Sequence, residues 1–170
     1  MIDALLSVRN LTTVFDVGAT PLVAVNDVSF DLHKGETLGL VGESGSGKSV
    51  TAFSLLRLVQ PPGRIAAGQV IFQGRDLLTL SEKEMCGVRG AGIGLVFQEP
   101  MAALNPVMRV GKQIGESLVV HGLASTREAR DRAIELLRAV KIVDPEKRVD
   151  DYPHQLSGGM RQRVMLAVAL

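Results

Sequence analysis

Gly42-Glu43-Ser44-Gly45-Ser46-Gly47-Lys48-Ser49, with Val50 directly after it, brackets four residues between two glycines and ends on lysine and serine. This is the Walker A phosphate-loop pattern. Glycines let the backbone curl so that successive N–H groups point inward, and the helix that follows adds the positive end of its dipole. Such a concavity holds an anion. In that geometry Lys48 lies over the β- and γ-phosphates and the Ser49 hydroxyl offers a ligand to Mg²⁺. The context that the pattern requires is also present. Glu36–Val41 is a short, mostly apolar run that reads as a strand, and Ser49–Val59 places Ala52, Phe53, Leu56 and Val59 at helical spacing. A merely flexible Gly/Ser connection would not need a strand before it and a helix after it. Nucleoside triphosphate binding is therefore the expectation, although the loop by itself fits a transporter ATPase, a GTPase, a kinase or a helicase.

Working outward toward the N-terminus, Leu5–Phe15 and Val23–Leu32 alternate apolar and polar positions, with Gly18 and Pro21 between them, and read as two antiparallel strands. Toward the C-terminus, Pro61, Pro62 and Gly63 close the helix, and Gln69–Phe72 reads as another strand. Ser81 with Glu84 forms a capping box for a short helix, and Ile93–Phe97 is a further apolar strand. Two helices follow at about Val110–His121 and Thr126–Lys141. The second has Ser125 and Glu128 as its box and Ala129, Ala133, Leu136, Leu137 and Val140 as its apolar face. Asp150–Gly159 is polar and turn-rich, and Gly159–Leu170 opens a last helix.

Composition narrows the class. A chain of 170 residues with 46% hydrophobic and 22% charged residues reads as a globular domain with one core. The formal charge of +1, from 19 basic and 18 acidic side chains, lacks the basic footprint of a nucleic-acid binder. Cys86 is the single cysteine, so the chain can form no internal disulfide or multi-cysteine metal site, and a reducing setting fits. Asp3 and its neighbours do not read as a signal peptide. No apolar run approaches the ~20 residues that span a bilayer, so any membrane-spanning segments belong to a partner.

The deciding motif lies near the end. Leu156-Ser157-Gly158-Gly159-Met160-Arg161-Gln162-Arg163 places a serine before two glycines at a helix start, which is a second anion-binding N-terminus in the same chain. It resembles the signature sequence of ABC-transporter nucleotide-binding domains, with Met160 where glutamine is commonest. The resemblance covers nearly the whole chain. It implies an α/β, P-loop NTPase fold of the ABC type with an N-terminal antiparallel β subdomain and a helical subdomain. It divides the chain at about 1–100 for the β subdomain and Walker A core, 101–157 for the helical subdomain and 158–170 for the start of the signature helix. The implied ligand is ATP with Mg²⁺, held by Gly42, Glu43, Ser44, Gly45, Ser46, Gly47, Lys48, Ser49 and Val50. Gln98, at the end of an apolar strand, falls at the family's Q-loop glutamine, which contacts Mg²⁺ and the attacking water. Phe15 resembles the aromatic that stacks on adenine, though a phenylalanine there also suits the core of the first strand. His154 reads as structural. Ser157, Gly158, Gly159 and Met160 would close on nucleotide held by a second ATPase subunit, in a homo- or heterodimer.

Phe97-Gln98-Glu99-Pro100-Met101, then Leu104-Asn105-Pro106, and the run from Ser157 to Leu166 resemble the ATPases of dipeptide, oligopeptide and nickel importers. That group implies permease partners, a peripheral place on the cytoplasmic side of the inner membrane, and no direct contact with cargo. Family members continue to an apolar strand ending in the Walker B Asp-Glu pair and to a switch histidine. Leu170 lies inside the signature helix, and Ile142-Val143-Asp144 does not qualify, because it follows Lys141, precedes Pro145 and comes before the signature. The resemblance thus implies an incomplete core sheet, open strand edges, loose packing and no hydrolysis by these residues alone. Two other classes stay open at this stage: a soluble P-loop enzyme, which would lack the signature, and a nucleotide-binding module without turnover.

Overall fold

The computed structural model describes residues 4–99 and 103–170, so Asp3 and the Pro100-Met101 part of the importer-like motif lie outside the described residues. Two compact units divide the chain, one ending at Met85 and the other running from Cys86 to Leu170.

The first unit is built on β1 (Leu6–Phe15), β2 (Leu22–Leu32), β3 (Gly63–Phe72) and β4 (Arg75–Asp76), joined in one antiparallel sheet of order β2-β1-β3-β4. Simple alternation predicts the inward residues of β1 only as far as Val8. Asn10 takes a left-handed φ of 48° and the register shifts there, so the buried series runs Leu6, Val8, Leu11. An extra residue in a strand flips the phase of everything beyond it.

Helix α1 (Lys48–Leu55) is shorter than the expected Ser49–Val59. Arg57 adopts φ 54°, the Arg57 N–H donates to Ser54 O at 3.1 Å, and the Leu58 N–H donates to Phe53 O at 2.8 Å. This pair of bonds is the Schellman ending, usually built on glycine, and here an arginine carries it. The buried face of α1 also differs from the apolar stripe expected at Ala52, Phe53, Leu56 and Val59. Thr51 and Ser54 are buried beside Leu56, whereas Ala52, Phe53 and Val59 are only half-buried. The two hydroxyls can be buried because each donates to a carbonyl one turn back, Thr51 to Gly47 O at 3.0 Å and Ser54 to Val50 O at 2.7 Å. Helix α2 (Glu82–Val88) begins on the expected box. Glu84 accepts from the Ser81 N–H at 2.9 Å, and the Glu84 N–H reaches the Ser81 hydroxyl at 3.3 Å.

Two expected strands do not form. Glu36–Val41 carries no strand, and of Ile93–Phe97 only Ile93 makes a parallel bridge, to Arg89. A parallel strand exists only through the ladders on its flanks, and the described residues contain no sheet other than the antiparallel one. Leu38, Leu40, Val96 and Phe97 are consequently more than 40% exposed, and Val41 is 90% exposed. The expectation of an incomplete core sheet holds in this form.

The second unit packs α3 (Val110–Val120), α4 (Ala129–Ala139), α5 (Pro145–Arg148) and α6 (Gly158–Ala169) around Val110, Ile114, Ala133, Leu137, Val149 and Val164. Helix α4 ends at Ala139 rather than Lys141 for the reason that shortens α1. Lys141 takes φ 61°, its N–H bonds Arg138 O, and the Ile142 N–H bonds Leu137 O, both at 3.0 Å. The box at Ser125 and Glu128 forms as expected, the Glu128 N–H donating to the Ser125 hydroxyl at 3.3 Å.

In both boxes the serine holds the glutamate below its ordinary value of 4.5, chiefly through the hydroxyl hydrogen bond. A carboxyl lowered by folding contributes stability above its unfolded value and loses it as pH falls through the range below. The melting temperature of the chain should therefore drop as the pH is taken from 5 down through 4.5 and lower. Circular dichroism melts across that range should show a shallower drop for the Glu84→Gln, Glu128→Gln variant than for the wild type.

Candidate functional site

The loop between Gly42 and Ser49 is curled by two left-handed glycines, Gly45 at φ 82° and Gly47 at φ 89°. Lys48 folds its amine back over the loop, donating to Gly42 O at 2.8 Å, Glu43 O at 2.6 Å and the Ser46 hydroxyl at 3.3 Å. That arrangement stretches the lysine across the concavity with its charge at the rim. No side-chain bond caps the start of α1, so the first N–H groups of the helix and the positive end of its dipole face outward. The Ser49 hydroxyl is exposed and makes no hydrogen bond among the described residues. A hydroxyl in that position is a hard-oxygen donor suited to Mg²⁺, so the residues present fit the ion. Glu43, Ser44 and Ser46 are exposed along the loop, and Val50 is half-buried in the first turn.

Phe15 closes β1 in the same unit. It is half-buried and pairs with Gly63 of β3. A Cβ at Gly63 would come within 2.6 Å of the Phe15 Cε1, so the ring lies directly across the glycine. Behind it, Thr13 and Ser54 share a buried hydroxyl–hydroxyl hydrogen bond of 2.8 Å. Sequence reasoning missed this pair, because serine and threonine at those positions carry no periodic signal.

In the second unit, Ser157 caps α6 with backbone angles of −64° and 162°, and its hydroxyl accepts from the Met160 N–H at 3.3 Å. Gly158 and Gly159 are exposed, with open space where a Cβ would stand, and Met160 is half-buried. Val164, Met165 and Ala167 anchor the helix in the core, and Arg163 donates to Lys141 O at 2.6 Å. The serine cap forms as the sequence implies, and the two glycines leave this helix start open to solvent. Gln98 is exposed in the same unit and lies outside any strand. His154 is exposed and stacks on Tyr152 with ring centroids 5.7 Å apart. The unit also carries a groove of about 530 Å³ floored by Gly111, Gly115, Ala129 and Val149, which sequence reasoning did not identify. Asp150 stands at its rim between Arg130 at 2.7 Å and Arg109 at 3.4 Å, and Arg130 chiefly holds its carboxyl below the usual value.

The first unit thus carries a phosphate-type loop with an uncapped helix start, and the second unit carries a serine-capped helix start. The sequence profile described as ABC transporter matches residues 25–170, and the chain belongs to that family, in its ATP-binding domain. The oligopeptide transport ATP-binding protein OppD of Bacillus subtilis is 52% identical over 170 residues, which covers 99% of this chain and 48% of that protein. OppD of Escherichia coli is 50% identical over 168 residues, covering 99% and 50%. The chain thus spans about half the length of these relatives. Among solved structures, the dimeric MJ0796, a bacterial ABC transporter cassette, superposes with a TM-score of 0.84 at 29% identity, over 97% of this chain and 68% of that one. A post-hydrolysis MJ0796 dimer bound to ADP and Pi gives the same score and coverage. Among the described residues, no helix is long and apolar enough to cross a membrane.

Gly45 and Gly47 make separable predictions. Both need a left-handed backbone, but a Cβ at Gly45 meets open space, whereas one at Gly47 would stand 2.3 Å from the backbone oxygen of Ala24. Gly45→Ala should cost about 1–2 kcal/mol from backbone strain alone. Gly47→Ala should cost distinctly more, because β2 has to move as well, and urea unfolding of the two variants measures the difference.

Proposed function

We propose that this chain grasps MgATP as part of the ATP-binding subunit of an ABC importer for di- or oligopeptides. The observation that carries the reading is the Gly42–Ser49 loop, with its two left-handed glycines, its Lys48 amine over the rim and its uncapped helix start. The loop N–H groups and Lys48 would take the phosphates, Phe15 would stack on the base, and the free Ser49 hydroxyl would offer a ligand to Mg²⁺. The ion would neutralise phosphate charge. In the second unit, the Ser157 helix start would close on nucleotide carried by a second ATPase subunit, in keeping with the dimeric cassette that the fold resembles.

Peptide as cargo is supported by relatives named for oligopeptide and dipeptide transport at 48–52% identity. The cargo would cross through permease subunits without touching this chain, which would sit at the cytoplasmic side of the membrane through those partners. Composition supports the exclusion of nucleic acid, since the chain is nearly neutral overall.

The test is ATP affinity. Lys48→Ala removes a charge-assisted contact of roughly 1.5–3 kcal/mol, so the dissociation constant for MgATP should rise about ten- to a hundredfold by calorimetry or a fluorescent-nucleotide titration. An unchanged constant would remove the basis for the reading.

A further inference from the structure

Thr13 and Ser54 are both fully buried, and their hydroxyl oxygens lie 2.8 Å apart between β1 and α1. The direction of the bond follows from proton counting. A serine hydroxyl has one proton, and that of Ser54 goes to Val50 O at 2.7 Å, so Thr13 is the donor to Ser54. The resulting chain runs from the Thr13 hydroxyl through Ser54 to the carbonyl of Val50, in the helical turn that begins with Lys48 and Ser49. At its other end Thr13 stands two residues before Phe15, about 7 Å along the strand.

Val14 and Phe15 are paired on both sides, with Val23 and Leu22 of β2 and with Arg64 and Gly63 of β3, and the irregularity lies just before them, at Thr13. Against β3 the register slips between Thr12 and Thr13, and against β2 it slips on both sides of Thr13. Thr13 and Val14 are both buried, so the alternation breaks there too. The hydroxyl bond therefore lies where the backbone ladders are irregular, and it reaches the helix rather than another strand. The Phe15 ring beyond it is confined by Gly63, whose missing Cβ would also meet Val59 Cγ1 at 2.6 Å. A valine–alanine pair would fill nearly the same space without desolvating two hydroxyls, and a neutral hydrogen bond contributes only modestly to net stability. What the pair adds is a fixed direction between the two elements.

We propose that the Thr13–Ser54 hydroxyl pair is a positioning device that holds the base-stacking Phe15 at a set distance from the phosphate loop. Binding of a whole nucleotide then depends on the pair, and binding of its phosphate tail does not. The inference rests on the reading of Phe15 and Gly42–Ser49 as the two halves of one nucleotide site.

The experiment titrates the 170-residue chain with MgATP and, separately, with inorganic tripolyphosphate, which uses only the phosphate half. Thr13→Val should weaken ATP about five- to tenfold while changing tripolyphosphate less than about twofold, and Thr13→Ser, which keeps the hydroxyl, should restore ATP affinity. In a Phe15→Ala background, Thr13→Val should change ATP affinity by less than about twofold, since the group being positioned is gone. Unchanged ATP affinity in Thr13→Val would overturn the proposal, as would an equal loss of both ligands or an undiminished loss in the Phe15→Ala background. Failure of the underlying reading looks different. A wild-type chain that binds neither ligand, or a Lys48→Ala chain that binds ATP normally, removes the nucleotide site and the positioning role with it.

Discussion

The amine of Lys48 is tied to Gly42 O and Glu43 O of its own loop, which closes the backbone into a ring and forces the intervening peptides to curl. Much of the first unit follows from that closure. A curl of this tightness needs left-handed residues, hence Gly45 and Gly47. Gly47 then hands the chain to α1 with no side-chain cap, so the dipole of the helix points into the curl. Helix α1 must in turn be held against the sheet, and its seating is partly polar: Thr51 and Ser54 turn inward and satisfy their hydroxyls on the helix's own carbonyls. A short helix bearing a charged loop is thereby fixed with little apolar side chain of its own.

The second unit solves a comparable problem by ordinary means. Its anion-ready element is the start of α6, and the rest of that helix is anchored by Val164, Met165 and Ala167 in a core shared with α3 and α4. Gly111 of α3 lies so close to Val149 that a Cβ there would stand 2.6 Å from its backbone oxygen, so the elements pack without room for a larger residue. The exposed Ser157, Gly158 and Gly159 therefore open a helix whose later turns are buried in that core. Binding residues on a loop or helix end are most effective when the scaffold beneath them is fixed.

How much was legible in the sequence depended on how local the determinant was. The boxes at Ser81–Glu84 and Ser125–Glu128 are decided within four residues, and both formed as read. The three well-defined helix ends make the contrast sharper. The end of α3 at Val120 lies one residue from the expected His121, and there a glycine, Gly122 with φ 69°, carries the left-handed cap. The ends of α1 and α4 use the same bonds with Arg57 and Lys141, which announce nothing, and both were read too long. The strands at Glu36–Val41 and Ile93–Phe97 failed for the opposite reason, since a parallel strand is a property of its neighbours rather than of its own residues. Hydrophobicity and β-branching showed that these segments could be strands, but they carried no information on whether ladders were available. At the candidate site, the glycines, Lys48 and Ser157 were readable from type and spacing. The Thr13–Ser54 bond joins positions 41 apart and was not.

The contact between Gly47 and Ala24 is one-sided in kind: a side chain is forbidden at one partner, while the other contributes only its peptide oxygen. The two positions should therefore drift at different rates in related chains. Position 47 has no freedom at all, whereas position 24, half-buried on β2, is free to change its side chain so long as the strand keeps its path. An analysis of paired substitutions would accordingly find no covariation between two residues that lie in tight van der Waals contact. The restraint acts on the path of the β2 backbone, and it would pass unnoticed in any comparison that reads residue identities alone.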